Sequence, residues 1–308
     1  MLKFVLRKLA QGVATVIIVA GITFALLSAA GGDAFTALRD NPQVSERTIE
    51  ELRRVYGLDR PLPVRFASWI SGAVLGKLGE SIVFRVPVST LVAARLLNTF
   101  YLAAVSVMIA LFFAVMISIL AARYPKGWVF WTVEAVVLLT ISTPRIVLSL
   151  LALLLIASAA GTRFAIGGGS IAMFLLTALA LAIPLIGVFV AQTNEQLQLA
   201  MKEDFVKLAR AKGLSEWVVI AKHAFRAAVN PLIALTGTSI GALLGGSVIV
   251  EAILGWPGIG SLAVAAVKGR DVPLVMGVVL IASLAVWLGN ALAEVAQLYN
   301  DKRLAPDR

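Results

Sequence analysis

The chain has 308 residues, of which 60% are hydrophobic and 14% charged, with a formal net charge of +10 and a mean hydropathy of +0.94. Soluble domains carry roughly 25% charged residues, so an aqueous globular fold is excluded and a bilayer is the solvent this composition fits. The lack of cysteine and a lone histidine, His223, remove disulfides, thiolate metal sites, cysteine nucleophiles and any histidine-based metal or triad chemistry.

Apolar runs long enough to cross about 30 Å of hydrocarbon, about 20 residues each, fall at Leu9–Ala30, Thr99–Ala122, Val129–Ala157, Ser170–Thr193, Leu232–Leu254 and Met276–Leu298. Backbone polar groups find no water there, and no alternation of period two supports a barrel. The reading is an all-α integral membrane protein of about six transmembrane helices. The first run carries the basic flank of a signal peptide, but it exceeds the roughly 7 to 15 apolar residues of such a segment. Orientation follows from the short flanks: Lys3, Arg7 and Lys8, then Arg123 and Lys126, then Lys202, Lys207, Arg210, Lys212, Lys222 and Arg226, and finally Lys302, Arg303 and Arg308 share one side. Against these stand Arg163 alone in the third loop and Lys268 and Arg270 in the fifth, so both termini are expected in the cytoplasm. No basic stripe with interleaved aromatics appears, which argues against nucleic acid. The organisation is an N-terminal transmembrane helix (1–30), an external region (31–98), and a core of five helices (99–308) holding a cytoplasmic hairpin at 200–230.

In the external region, "SERTIEELRRVYGLDRPLP" predicts a short helix capped at Ser45, closed near Gly57 and stopped by Pro61 and Pro63. The third run contains "STPR", where Pro144 kinks the helix and Arg145 sits at mid-depth. An intramembrane cation costs about 2.5–3.5 kcal/mol on insertion scales and faces protein or water. Arg145 is therefore either paired internally with a carboxylate such as Glu134, snorkelling, or a translocation-path cation that meets a substrate carboxylate. Glu251, at the outer end of the fifth run, is a second candidate path residue, and Glu294 is a further charge near a span.

The fourth loop, "DFVKLARAKGLSEWVVIAKHAFRAAVNPL", is about five times longer than a reversal of direction needs. Its first half predicts a short amphipathic helix ended by Gly213, which tolerates a left-handed backbone. Ser215 caps a second helix with Glu216 in its first turn, stopped by Asn230 and Pro231 before the fifth run. Such a hairpin lies on anionic lipid through its Lys and Arg or docks a cytoplasmic partner. In the fifth run Gly237, Gly241 and Gly245 form a small-residue face at four-residue spacing. That face packs helices closely, either within the chain or against a second subunit. "WPGIGSL", with Pro257, Gly258 and Gly260, is an external turn, and Trp69, Trp128, Trp131, Trp256 and Trp287 read as interfacial anchors.

The hairpin resembles the cytoplasmic loop of ATP-binding-cassette importer permeases of the dipeptide/oligopeptide type. It does so through Ala209, Arg210, Ala211, Lys212, Gly213, Leu214 and Ser215, followed by a second helix ending in a proline. "GLDRPLPVRFASWISG", "GKLGES" with "VPVSTLV", and "EAILGWPGIGSLAVAAVKGRDVP" resemble further blocks in the same order, so the likeness spans nearly the whole chain. Three departures, the absent proline after "GGD", Lys77 in place of an acidic residue, and Arg145, bear on substrate and not on class. The resemblance implies a type I importer fold and a multi-pass subunit of the bacterial inner membrane forming half of a pathway for peptides or similar small solutes. It implies no catalysis and no cofactor in this chain, with ATP and Mg on two cytoplasmic ATP-binding subunits. It also implies a homologous second permease and an external solute-binding protein. Residues 209–215 become the ATPase-coupling element, the glycine face a contact between permeases, and Pro257, Gly258 and Gly260 part of an outer gate. "GAVLGKL" has three residues between its glycines and no hydroxyl after its lysine, so it is no phosphate loop. A self-sufficient secondary transporter would call for inverted repeats, which are not evident. An intramembrane hydrolase would call for a zincin or G-x-S-x-G motif, and neither is present.

Overall fold

A computed structural model describes residues 2–30, 35, 45–55, 57–160 and 171–300. The expectations resting on Arg163, on "GGD" and on Lys302, Arg303 and Arg308 lie outside these residues. In chain order the helices are α1 (Leu2–Ala29), α2 (Glu46–Val55), α3 (Leu62–Val74), α4 (Val88–Arg123), α5 (Trp128–Ser142), α6 (Arg145–Ala160) and α7 (Ile171–Ala200). They continue with α8 (Asp204–Ala211), α9 (Glu216–Val218), a π-helical segment (Val219–Ala224), α10 (Phe225–Gly246), α11 (Val248–Leu254), α12 (Ile259–Lys268) and α13 (Val272–Asn300).

Among the described residues five helices are long and apolar enough to span a membrane: Leu6–Ala29, Val88–Arg123, Ile171–Ala200, Glu216–Gly245 and Val272–Gln297. The third apolar run departs from its expectation of one kinked span. It is two helices, α5 and α6, bent by 92° at Thr143 and Pro144. The proline ring bars its predecessor from helical geometry, and Thr143 is indeed extended, with ψ 115°. The end of the fifth run also differs: α10 stops at Gly246 and the short helix α11 carries residues 248–254.

The chain divides into two compact units, Met1–Asn98 with Pro257–Ala285, and Thr99–Trp256 with Val286–Arg308. In the first, Val88, Val92, Ile259, Leu262, Leu274 and Val278 form one buried cluster, and Ala20, Phe24 and Met276 form another against Phe66 and Trp69. Ser45 caps α2 as expected, its Oγ accepting the Thr48 amide at 3.2 Å. Pro61 and Pro63 do more than stop that helix. They open α3, Pro61 as its N-cap with φ −54° and Pro63 within its first turn, where a missing amide costs nothing.

One buried carboxylate ties this unit together. Asp271 accepts hydrogen bonds from Ser81 Oγ (2.6 Å) and the Val83 amide (3.0 Å) through Oδ2, and from the Leu274 amide (3.1 Å) through Oδ1. It thus caps α13 and pins the 80–87 loop, closed by an antiparallel bridge between Glu80 and Pro87.

In the second unit α7 packs against α5, α6 and α10 around Leu102, Val107, Leu181, Phe189, Val190 and Leu243. α7 comes so close to α5 that a Cβ at Gly187 would strike Thr140 and Ile141. Leu138, Leu139, Leu150, Leu154 and Leu155 on α5 and α6 are exposed, an apolar surface suited to lipid or another membrane protein. Trp128 and Trp131 are exposed. Trp69 and Trp256 turn inward instead, Trp256 against the Phe174 ring at 5.3 Å.

Candidate functional site

The hairpin is built from α8, a glycine turn, and an arm that runs without interruption into a span. Asp204 in the first turn of α8 favours the positive helix end and pairs with Lys207 at 2.8 Å. Val206 and Ala209 are its buried face. The helix closes with the paired bonds of a Schellman turn, the Gly213 amide to Arg210 O at 2.9 Å and the Leu214 amide to Ala209 O at 3.4 Å. Gly213 has φ +74°, and no atom lies within 4 Å of where its Cβ would be. Glycine is thus required by backbone conformation and not by crowding.

Ser215 stands at the N-cap of the returning arm as expected, yet its hydroxyl makes no capping bond. The brace comes from Arg210, whose Nη2 and Nε donate to Glu216 Oε1 (2.6 Å) and Oε2 (3.2 Å) across the turn. That bidentate bond raises the guanidinium pKa above its ordinary value, so this cation is permanent. Asn230 and Pro231 do not stop the second helix. α9, the π-helical segment and α10 are continuous, with Pro231 inside α10. One lost backbone bond does not end a helix held on both sides of the proline by the buried Ala228 and Leu232. Leu197, Val206, Ala209, Val219, Ile220, Ala224 and Ala228 form a common buried cluster, and each large aliphatic side chain there contributes about 1.5–3 kcal/mol on burial. The hairpin is a packed element joined end to end with α10.

The other predicted residues are dispersed. Gly237, Gly241 and Gly245 face α13 of the same chain: a Cβ at Gly237 would collide with Ala293, one at Gly241 would lie 3.1 Å from the Val286 backbone, and one at Gly245 3.3 Å from the Val286 side chain. Gly289 returns the contact, its own Cβ position being 3.1 Å from Gly237 O. Within the chain this face packs against α13. Arg145 opens α6 at the bend and is half-buried. Glu134 is exposed, and among the described residues the two form no ion pair.

Glu251 is fully buried and accepts from Thr99 Oγ1 (2.8 Å) and Ser247 Oγ (2.7 Å), which tethers α11 inside the unit. Pro257 and Gly258 lie in the connection before α12, where Pro257 O accepts from Asn98 Nδ2 at 2.8 Å, and Gly260 is buried within α12. Sequence reasoning passed over Asp271 and Gly255. The first was legible as an acidic residue just before a helix, and the second, with φ +66°, as the glycine closing α11.

The described residues thus form a membrane-spanning chain with a braced hairpin continuous with one span and a helix pair broken at Pro144. The chain belongs to the family described as binding-protein-dependent transport system inner membrane component, whose model matches residues 114–306, while the N-terminal membrane component of such systems matches residues 1–103. A protein named as a peptide permease in Brucella suis is 31% identical over 99% of both chains. The glutathione transport system permease protein GsiC of Salmonella choleraesuis is 34% identical over 96% of both. Among solved structures, the inward-facing MetNI methionine ABC transporter gives a TM-score of 0.55 at 16% identity, covering 68% of this chain and 96% of that one, a likeness of fold. The protein is a multi-pass permease subunit of an ABC importer of the bacterial inner membrane, the non-catalytic component of a system whose ATPase is a separate subunit.

Proposed function

We propose that this subunit, with both termini cytoplasmic, forms half of an import pathway for di- and oligopeptides or small peptide-like solutes such as glutathione. Closure of two ATP-binding partners drives it through residues 209–215. The observation that carries this reading is the hairpin's construction: a left-handed Gly213 turn braced by Arg210 and Glu216 and continuous with a membrane-spanning helix. A short helix seated on an ATPase and rigidly joined to a span moves that span when the seat moves. The names of the peptide and glutathione relatives support the substrate class. A homologous second permease and an external solute-binding protein complete the assembly. ATP and Mg stay on the partner chains, and this chain binds no cofactor. Pro257, Gly258 and Gly260 belong to the outer gate, and Arg145 lies along the path.

The test is Gly213→Val in the reconstituted importer. A β-branched residue at φ +74° is strained whatever the space around it. The variant inserts normally and loses most transport and substrate-stimulated ATP hydrolysis. Wild-type coupling in that variant overturns the assignment of the hairpin.

A further inference from the structure

Beside the hairpin opens a cavity of about 630 Å³, walled by the end of α4, the loop after it, the start of α5, the end of α7 and the hairpin itself. Its lining carries three cations, Arg123, Lys202 and Arg210, against one carboxylate, Glu216, while Phe130 and Met201 supply an apolar wall. Glu216 is already engaged by Arg210, which leaves two positive charges in excess. Arg123 Nε is buried without a hydrogen-bond partner among the described residues, and its guanidinium lies over the Tyr124 ring at 5.0 Å. A buried donor lacking an acceptor is costly and marks a place where a ligand oxygen is expected.

Arg123 is the last residue of one span, and Lys202 follows closely on the end of another. Arg123 directly follows the apolar stretch of its helix, the position at which basic flanks meet anionic headgroups, and Lys202 shares the cavity with it. A free anion would satisfy the charges but leave the apolar wall idle, whereas a phospholipid uses both. We propose that this cavity holds the headgroup of an anionic phospholipid, with its phosphate on Arg123 and Lys202 and its glycerol and upper acyl carbons against Phe130 and Met201. Arg210 and Glu216 belong to the same lining, so the lipid phosphate competes with Glu216 for Arg210 and tunes the brace of the hairpin. This regulatory consequence rests on the coupling role above; the lipid site itself does not.

The assembled importer, purified in mild detergent, is examined by native mass spectrometry for retained phosphatidylglycerol. It is then placed in phosphatidylcholine nanodiscs with or without phosphatidylglycerol, and substrate-stimulated ATP hydrolysis is measured. At about a factor of five per charge near the surface, Arg123→Gln with Lys202→Gln weakens lipid retention roughly thirtyfold. Arg123→Lys keeps retention within about fivefold of wild type and controls for folding. Equal retention by wild type and the double glutamine variant overturns the site. If inorganic phosphate restores activity in neutral nanodiscs as fully as phosphatidylglycerol does, the ligand is a free anion and the lipid assignment falls. If lipid is retained but hydrolysis does not respond, the regulatory link falls. Gly213→Val, in contrast, leaves lipid retention unchanged, which separates this test from that of the coupling role.

Discussion

Asp271 serves three donors at once, and its loss strands the buried Ser81 hydroxyl and Leu274 amide together with the part-buried Val83 amide. Each unsatisfied buried group costs roughly 1–3 kcal/mol. Asp271→Ala should therefore destabilise the first unit by about 2 kcal/mol or more, with faster proteolysis of the 80–87 loop, whereas Asp271→Asn, which keeps an acceptor oxygen, should cost less. Arg145 poses the opposite case, a cation at a helix bend with no ion pair among the described residues. Arg145→Ala should leave insertion intact and lower uptake of substrates bearing a free carboxylate more than uptake of amidated ones; equal uptake of both would remove it from the path. The sequence displayed both residues plainly. What it withheld was the partners of Asp271, because the Ser81–Asp271 bond joins positions 190 apart and nothing in local spacing announces that meeting.

The packing of α10 on α13 shows how far an element can be inferred from periodicity. Four-residue glycine spacing announces a close approach but not the helix that makes it, and here that helix is the chain's own α13. Gly241→Val places side-chain atoms where the Val286 backbone now lies, and overpacking of this kind costs about 1–3 kcal/mol. The detergent-solubilised subunit should melt at a lower temperature. An unchanged midpoint with failed assembly would assign the glycines to a subunit interface. Hydropathy located every span but not the 92° bend at Pro144 or the end of α10 at Gly246, since a summed apolar signal is blind to a change of direction. Pro231 misled in the other direction, for a proline reads as a stop and yet sits inside a helix whose flanks are buried.

At the scale of the molecule, class was legible because lipid permits few backbone solutions, and 60% hydrophobic composition with asymmetric basic flanks leaves little choice. The hairpin was legible through Gly213, whose left-handed turn is a local demand. Its continuity with α10 was not, because the π-helical segment at Val219–Ala224 has no sequence signature. That segment accommodates an additional residue relative to ordinary α pitch, and each residue advances a helix through about 100°. Deleting the exposed Lys222 would let the segment relax to α pitch with the flanking helices kept near their present register, whereas deleting the exposed Ala227 from α10 would swing Gly237, Gly241 and Gly245 by about 100° while the cytoplasmic end stayed seated. The Ala227 deletion should preserve contact with the ATPase but misdirect its stroke, giving hydrolysis without import. The winding of the six residues Val219–Ala224 takes up extra chain without turning the helix that follows it.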